Sequence, residues 1–182
     1  MAEAQASLCF DIADLQSCQA LAAHIAMSGQ QGDILALWGT LGAGKTAFAR
    51  ALIQAMGRLA IPERLLTEVP SPTFTLVQQY ETGNLRLGPE GLVSHFDLYR
   101  LSDPEEAWEI GIEDAFAQGL SVIEWPDRLQ NLLPKERLDI TLSFPETETD
   151  GVMPSEDRRQ VTVSGPEGLT TRYFPAIKAF SL

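Results

Sequence analysis

An α/β fold, with a mostly parallel sheet that also carries antiparallel strands and is flanked by helices, is predicted by three observations. Ile34–Trp38 is a continuous apolar run of strand length, the pattern of a parallel strand buried on both faces. A glycine-rich stretch follows it directly and leads into an amphipathic helical pattern. Leu120-Ser121-Val122-Ile123 is a second short apolar run, and it ends on a carboxylate, Glu124.

The elements read in order as follows. Phe10 and Ile12 open the 8–30 segment, where Leu15, Cys18, Leu21, Ala22 and Ile25 then recur at helical spacing. Asp14 is the expected cap and Gly29 the expected stop. After Ile34–Trp38, a helix is expected from about Lys45 to Met56, with Phe48, Ala51, Leu52 and Ala55 on one face and Gly57 closing it. A loop rich in proline (Pro62, Pro70, Pro72) precedes two expected strands, Thr73–Tyr80 and Leu92–Tyr99, joined by an irregular turn over Gly83–Gly91. Asp103-Pro104-Glu105-Glu106 has the form of a helix start, and that helix should run towards Phe116. Arg137–Phe144 and Arg159–Ser164 alternate like a hairpin around an acidic loop, Pro145–Asp157. A short helix is expected at Ala176–Phe180. With 182 residues, no internal repeat and no linker, the chain is expected to form one domain, 1–182, with the tail from about residue 165 peripheral.

Composition narrows the function classes. Thirteen Lys+Arg against 25 Asp+Glu give a formal charge of −12, and the lysines are Lys45, Lys135 and Lys178 alone. Unaided nucleic-acid binding calls for a basic stripe, which this sequence lacks. No apolar run approaches the ~18–20 residues that span a bilayer, so no membrane association is expected. Met1–Gln5 has no basic stretch leading into an apolar core, so no secretory signal is expected. Cys9 and Cys18 read as free thiols, which suits a cytoplasmic protein.

Gly39-Thr40-Leu41-Gly42-Ala43-Gly44-Lys45-Thr46 matches the G-x-x-x-x-G-K-[ST] phosphate-loop pattern in full. Its glycines let backbone N–H groups turn inwards, and the following helix directs its positive end at phosphate. Lys45 suits the β- and γ-phosphate oxygens, and the Thr46 hydroxyl suits Mg²⁺. Strand before and helix after are the context that this motif needs, so the sequence predicts a P-loop NTPase-like fold. Neither an Asp-x-x-Gly turn nor an Asn-Lys-x-Asp string occurs, which disfavours a Ras-like GTPase.

Three further segments point to the same site. Val69-Pro70-Ser71-Pro72-Thr73-Phe74-Thr75 is stiffened by prolines and offers hydroxyls. Period-two alternation puts Val93, His95, Asp97 and Tyr99 on one strand face, with Phe96 and Leu98 opposite, and the polar pair suggests a cleft wall. Glu124 stands where a buried strand ends, which is where open α/β sheets place ligands.

These segments together resemble the TsaE family, ATPases of bacterial tRNA threonylcarbamoyladenosine synthesis. The resemblance rests on Gly39 with Leu41–Thr46, Ser71–Val77 with Tyr80, His95–Leu101, Asp103–Glu106, Gly111-Ile112 and Ile123–Pro126, and covers about residues 33–144. It implies a subunit that binds and hydrolyses ATP with Mg²⁺ and acts on the TsaD–TsaB threonylcarbamoyl transferase complex, meeting tRNA only through that complex. By position, it implies that Thr46 and Glu124 ligate magnesium and that Leu41, Gly42, Ala43, Gly44, Lys45, Thr46 and Ala47 hold phosphates. Thr73 is then the switch-like residue near the γ-phosphate. Asp97 is the essential carboxylate at the metal or the attacking water, acting with Lys45 and Thr73 in catalysis. Arg159 matches a family arginine near the nucleotide base. The sequence departs from the family pattern at Thr40 (usually acidic), Ala47 (usually a second hydroxyl), Pro70 (commonly polar) and the Gly83–Gly91 insertion.

Structural roles stand beside these functional ones. Glu124 could cap a strand end, Asp97 could pair with Arg100 or His95, and Arg159 could be a strand-end charge beside Arg158. His95 reads as an orienting or packing residue, and Trp38, Trp108 and Trp125 as core or cleft residues. Two other functions stay open at this point: a small-molecule P-loop kinase, for which Arg128 alone is a thin lid, and a non-hydrolysing scaffold that senses nucleotide.

Overall fold

Among the described residues seven strands form one sheet in the order β1-β7-β6-β2-β5-β4-β3. The computed structural model describes residues 6–61, 68–145 and 158–181. Pro62 and most of the expected acidic loop lie outside them. The strands are β1 (Ala6–Ile12), β2 (Ile34–Trp38), β3 (Val77–Glu81), β4 (Leu92–Asp97), β5 (Leu120–Glu124), β6 (Leu138–Ser143) and β7 (Arg159–Gly165). The central four, β6-β2-β5-β4, are parallel, while β7 pairs antiparallel with both β6 and β1, and β3 pairs antiparallel with β4. A parallel centre with antiparallel pairing at the margins fits the sequence, because every residue of β4 and β5 is buried whereas the edge strand β3 exposes Gln78, Gln79 and Glu81.

Helices cover both faces and create two cores. On one face, α1 (Leu15–Ala26) and α2 (Lys45–Ala60) bury Leu21, Ile25, Phe48 and Leu52 against Val93, Val122 and Ile140. On the other, α3 (Glu106–Glu109) and α4 (Ile112–Gln118) bring Ala107, Ile112 and Ala115 to Phe96, Leu98 and Ile123. Register then sets the site. Glu124, the last residue of β5, pairs with Leu37 of β2 and with Asp97 of β4, so the carboxyl ends of three parallel strands coincide.

Several boundaries differ from the sequence reading, each for a physical reason. Phe10 and Ile12 belong to a full strand, β1, paired with β7 along its length. Asp14 does cap α1, accepting from the Ser17 amide at 2.7 Å, but the helix ends before Gly29. Helix α2 continues through Gly57 to Ala60, because Gly57 is buried in the packed face and burial outweighs the ~1 kcal/mol helix penalty of glycine. Residues 73–76 form a turn in place of a strand start. Leu76, with φ of 63°, donates to Pro72 O at 2.6 Å, and its carbonyl accepts from the Asp97 amide at 3.0 Å. Where the helix is expected from Asp103, Glu106 accepts from the Asp103 amide, but α3 starts only at Glu106, with Glu105 at its N-cap and no side-chain cap bond, and the helical run breaks at Gly111 (φ 74°) into α3 and α4.

The tail differs most. In place of a short peripheral helix, α5 (Glu167–Lys178) places Tyr173 and Ile177 fully in the core, and a 3₁₀ turn at Ala179–Ser181 follows it. Pro175 lies inside this helix, and side-chain bonds help fix the segment. Arg172 donates to both oxygens of Asp33, at 2.6 and 2.5 Å, and to Ser28 O at 2.6 Å. Tyr173 donates to Asp33 at 2.7 Å, and burial beside that carboxylate pushes the phenol well above its usual value. Asp33 precedes β2, so these bonds clamp α5 to the end of the sheet opposite the phosphate loop. Replacing Arg172 with alanine is expected to lower the unfolding free energy by about 2 kcal/mol, since a charged hydrogen bond is lost and a buried carboxylate loses its counter-ion. Urea denaturation measures this.

Candidate functional site

The phosphate loop leaves β2 at Gly39, whose φ of 140° and surroundings admit no side chain: a Cβ there would lie 2.4 Å from Leu142 O. Gly44 begins α2 in the left-handed region, with φ of 103°, so a glycine is needed where the loop turns into the helix. Lys45 follows and is folded back into the loop, donating to Gly39 O at 2.8 Å and Thr40 O at 2.9 Å. Its ammonium also lies 3.6 Å from the centroid of the Trp125 ring. Burial lowers the Lys45 pKa from its ordinary value, and the Glu124, Asp97 and Asp127 carboxylates oppose that shift.

Two buried carboxylates face this lysine. Glu124 is 2% exposed and Asp97 4%, so each must be bonded in place. Glu124 accepts from the Thr46 hydroxyl at 2.8 Å through one oxygen and from His95 Nε2 at 2.9 Å through the other. A carboxylate only accepts, so Nε2 of His95 carries the proton. Nδ1 of the same ring is buried and has no hydrogen-bond partner among the described residues. Asp97 accepts at one oxygen from Thr73 at 2.6 Å and Ser71 at 3.1 Å, and at the other from the Tyr99 amide at 3.2 Å. It pairs with neither His95 nor Arg100, whose guanidinium instead stacks on Phe74 at 4.3 Å.

A cleft of about 370 Å³ lies over these groups, lined by Leu41, Gly42, Gly44, Lys45, Thr46, Ala47, Thr73, Asp97 and Glu124, with Tyr99 and Trp125. All but two of the candidate residues read from the sequence therefore meet in one place. Ala43 and Arg159 lie instead at a smaller hollow of about 130 Å³ on the other side of the loop, with Ile12, Asp14, Cys18 and Val161. Burial pushes the Cys18 thiol up to about 11, so it behaves there as an apolar lining group. Sequence reasoning placed the Ser71 segment and the His95–Tyr99 strand face at the site but gave Ser71 and Tyr99 no role of their own and did not name Glu124 as the partner of His95. Their signals were present as a hydroxyl two residues before Thr73 and as period-two neighbours of Asp97.

Thr46 and Glu124 are hard oxygen donors in contact with each other, the type of pair that holds Mg²⁺ together with substrate phosphates and water. Among the described residues no group of three or more His, Cys, Asp or Glu side chains is gathered to hold a metal. The loop backbone, Lys45 and this oxygen pair suit a phosphate chain with its cation.

A family model described as "Threonylcarbamoyl adenosine biosynthesis protein TsaE" matches residues 12–152. The chain belongs to the TsaE family. The TsaE-named tRNA threonylcarbamoyladenosine biosynthesis protein of Rickettsia felis is 39% identical over 122 residues, 67% of this chain and 64% of that protein, so the match spans just under two thirds of the relative's length. The Bacillus subtilis protein of the same name is 35% identical over 128 residues, 70% of this chain and 72% of its own. The crystal structure of B. subtilis YdiB superposes with a TM-score of 0.69 at 25% identity, covering 99% of this chain and 97% of that one.

The departures from the TsaE pattern fall in distinct places. Thr40 offers Lys45 its carbonyl, so its side chain is not used in that contact. Ala47 lines both cavities. The Gly83–Gly91 turn closes on itself through Thr82, whose hydroxyl donates to Gly91 O at 2.6 Å, and it lies at the sheet end opposite the site.

Replacing His95 with leucine leaves the buried Glu124 short of a donor, at a cost of about 2 kcal/mol. For a domain of this size the melting temperature should fall by about 4–8 °C. Glutamine places an amide N–H near the position of Nε2, and His95→Gln should recover part of that loss in a thermal-melt comparison.

Proposed function

We propose that this chain is the ATP-binding and ATP-hydrolysing subunit of tRNA N6-threonylcarbamoyladenosine formation, acting on the TsaD–TsaB transferase complex. Membership of the TsaE family and the relatives' printed role in that biosynthesis support the pathway. The observation that carries the chemistry is the meeting of Thr46, Glu124 and Asp97 under the phosphate loop, with Glu124 and Asp97 in register at adjacent strand ends.

Lys45 exchanges the loop carbonyls it now holds for β- and γ-phosphate oxygens, while the loop amides and the start of α2 bind the rest of the chain. Thr46 and Glu124 hold magnesium, which when bound neutralises charge on the β- and γ-phosphates. Hydrolysis then needs one water in line with the γ-phosphorus. The water oxygen forms the new P–O bond, the bond to the β–γ bridging oxygen breaks, and its electron pair leaves on ADP. Asp97 orients that water and accepts its proton, and the Thr73 and Ser71 hydroxyls hold Asp97 in place. Trp125 shields Lys45 from solvent.

The test is phosphate release from ATP with TsaD, TsaB and tRNA present. Asp97→Asn is expected to lower turnover by at least ~10²-fold, the lower end for general-base assistance, while ATP affinity followed by Trp125 fluorescence changes little. Equal turnover by this variant and the parent protein would remove Asp97 from the chemistry, and appearance of a phosphorylated small molecule would indicate a kinase.

The charge of −12 opposes direct contact with the RNA backbone. The isolated chain is expected to show no tRNA binding in fluorescence anisotropy at ~0.15 M salt, where screening acts over ~8 Å. Micromolar, salt-sensitive binding would contradict the proposal that the complex mediates tRNA contact.

A further inference from the structure

One side chain reaches the phosphate loop from the distant antiparallel margin of the sheet. Arg159, the first residue of β7, donates from Nε to Ala43 O at 3.1 Å and from Nη2 to Gly42 O at 3.3 Å. Its Nη1 donates to Arg158 O at 2.8 Å, and its guanidinium carbon lies 4.3 Å from the centroid of the Phe144 ring. The planar group is thus held at its back by the end of β6 and at its side by its own strand, with its fork applied to two successive carbonyls of the loop.

Peptide planarity turns that contact into an orientation. In a trans peptide the carbonyl and the following N–H point in opposite directions. A guanidinium that draws Gly42 O and Ala43 O towards itself therefore aims the N–H groups of Ala43 and Gly44 away from it, towards the Lys45 side of the loop. Gly42 (φ 79°) and Gly44 (φ 103°) supply the left-handed turns that let successive amides converge in this way. The Ala43 amide already points inward, donating to Thr40 O at 3.2 Å within the loop, a bond that a bound anion would replace.

We propose that Arg159 is a positioning residue for phosphate: it braces the outer, carbonyl side of the loop so that the inner amides are set for the anion before it arrives. The inference rests on the ATP-site reading above and adds to it that the far sheet margin, through β7, controls phosphate affinity. A brace differs from a base contact and from a simple positive charge. A base contact matters only when adenine is present. A charge survives replacement by lysine, whereas a two-pronged grip on adjacent carbonyls does not.

The experiment compares the parent protein with Arg159→Lys and Arg159→Ala, using inorganic tripolyphosphate with Mg²⁺ and, separately, ATP with Mg²⁺. Binding is followed by Trp125 fluorescence and calorimetry. Both variants should bind tripolyphosphate about tenfold or more weakly, in line with the loss of a charged hydrogen bond, and ATP should weaken by a similar factor. In ligand-free protein, the ¹H–¹⁵N signals of Ala43 and Gly44 should move in Arg159→Lys while core amides in β2 and β5 keep their positions, a readout that a general loss of stability would not give. Wild-type tripolyphosphate affinity in Arg159→Lys overturns the brace. So does a loss confined to ATP, which would assign Arg159 to the base. Failure of the parent protein to bind either ligand would instead overturn the nucleotide reading on which the brace depends.

Discussion

Everything at this site depends on bringing two buried carboxylates to one end of a parallel sheet and satisfying both. Glu124 and Asp97 are in-register neighbours on β5 and β4, and like charges at that distance repel in a low-dielectric setting. The fold answers with different partners for each. Glu124 takes one donor from a neighbouring strand and one from the start of α2, and Asp97 takes hydroxyls from a loop that doubles back over the strand end. The Lys45 ammonium, held by loop carbonyls, lies within electrostatic reach of both. The tight turn at Leu76 and the alignment of β4 with β5 both serve this arrangement.

The contrast between the two carboxylates supports the division of labour proposed for them. Glu124 is bonded by groups embedded in regular structure, a strand histidine and a helix-start threonine, so it is rigidly placed. Asp97 is bonded by Ser71 and Thr73, which belong to an irregular segment carrying an 82% exposed Phe74. A rigid group suits a metal and a releasable one suits a water that must be aligned only when the site is complete. The loop that holds Asp97 thereby links chemistry to the protein surface.

Much of this was legible in the sequence. The loop motif, the apolar runs of β2 and β5 and the alternation in β4 name their own neighbours, because buried parallel strands and phosphate loops leave strong local patterns. What was not legible depends on partners distant in the chain. Pro175 and the mixed character of residues 167–178 hide a helix whose anchor is Asp33. Gly57 looks like a stop until burial on the packed face is known. Gly111 looks neutral in a helical pattern, yet its backbone divides α3 from α4. Arg159 reads as a base-side arginine by resemblance or as a strand-end charge, and only the fold puts its guanidinium against carbonyls 116 residues earlier.

The pairing of β1 with β7 also has a meaning for synthesis on the ribosome. Among the described residues β1, Ala6–Ile12, has its sheet partner in Arg159–Gly165, so its backbone groups are matched only after that far later segment has been made. The same late segment delivers Arg159 to the loop. The parallel centre can assemble earlier from β2, β4 and β5, but the margin closes last. A nascent chain halted before β7 would carry the phosphate-loop motif without the Arg159 contacts on its outer side, so under the proposed brace the loop would be set for phosphate only once β7 is made.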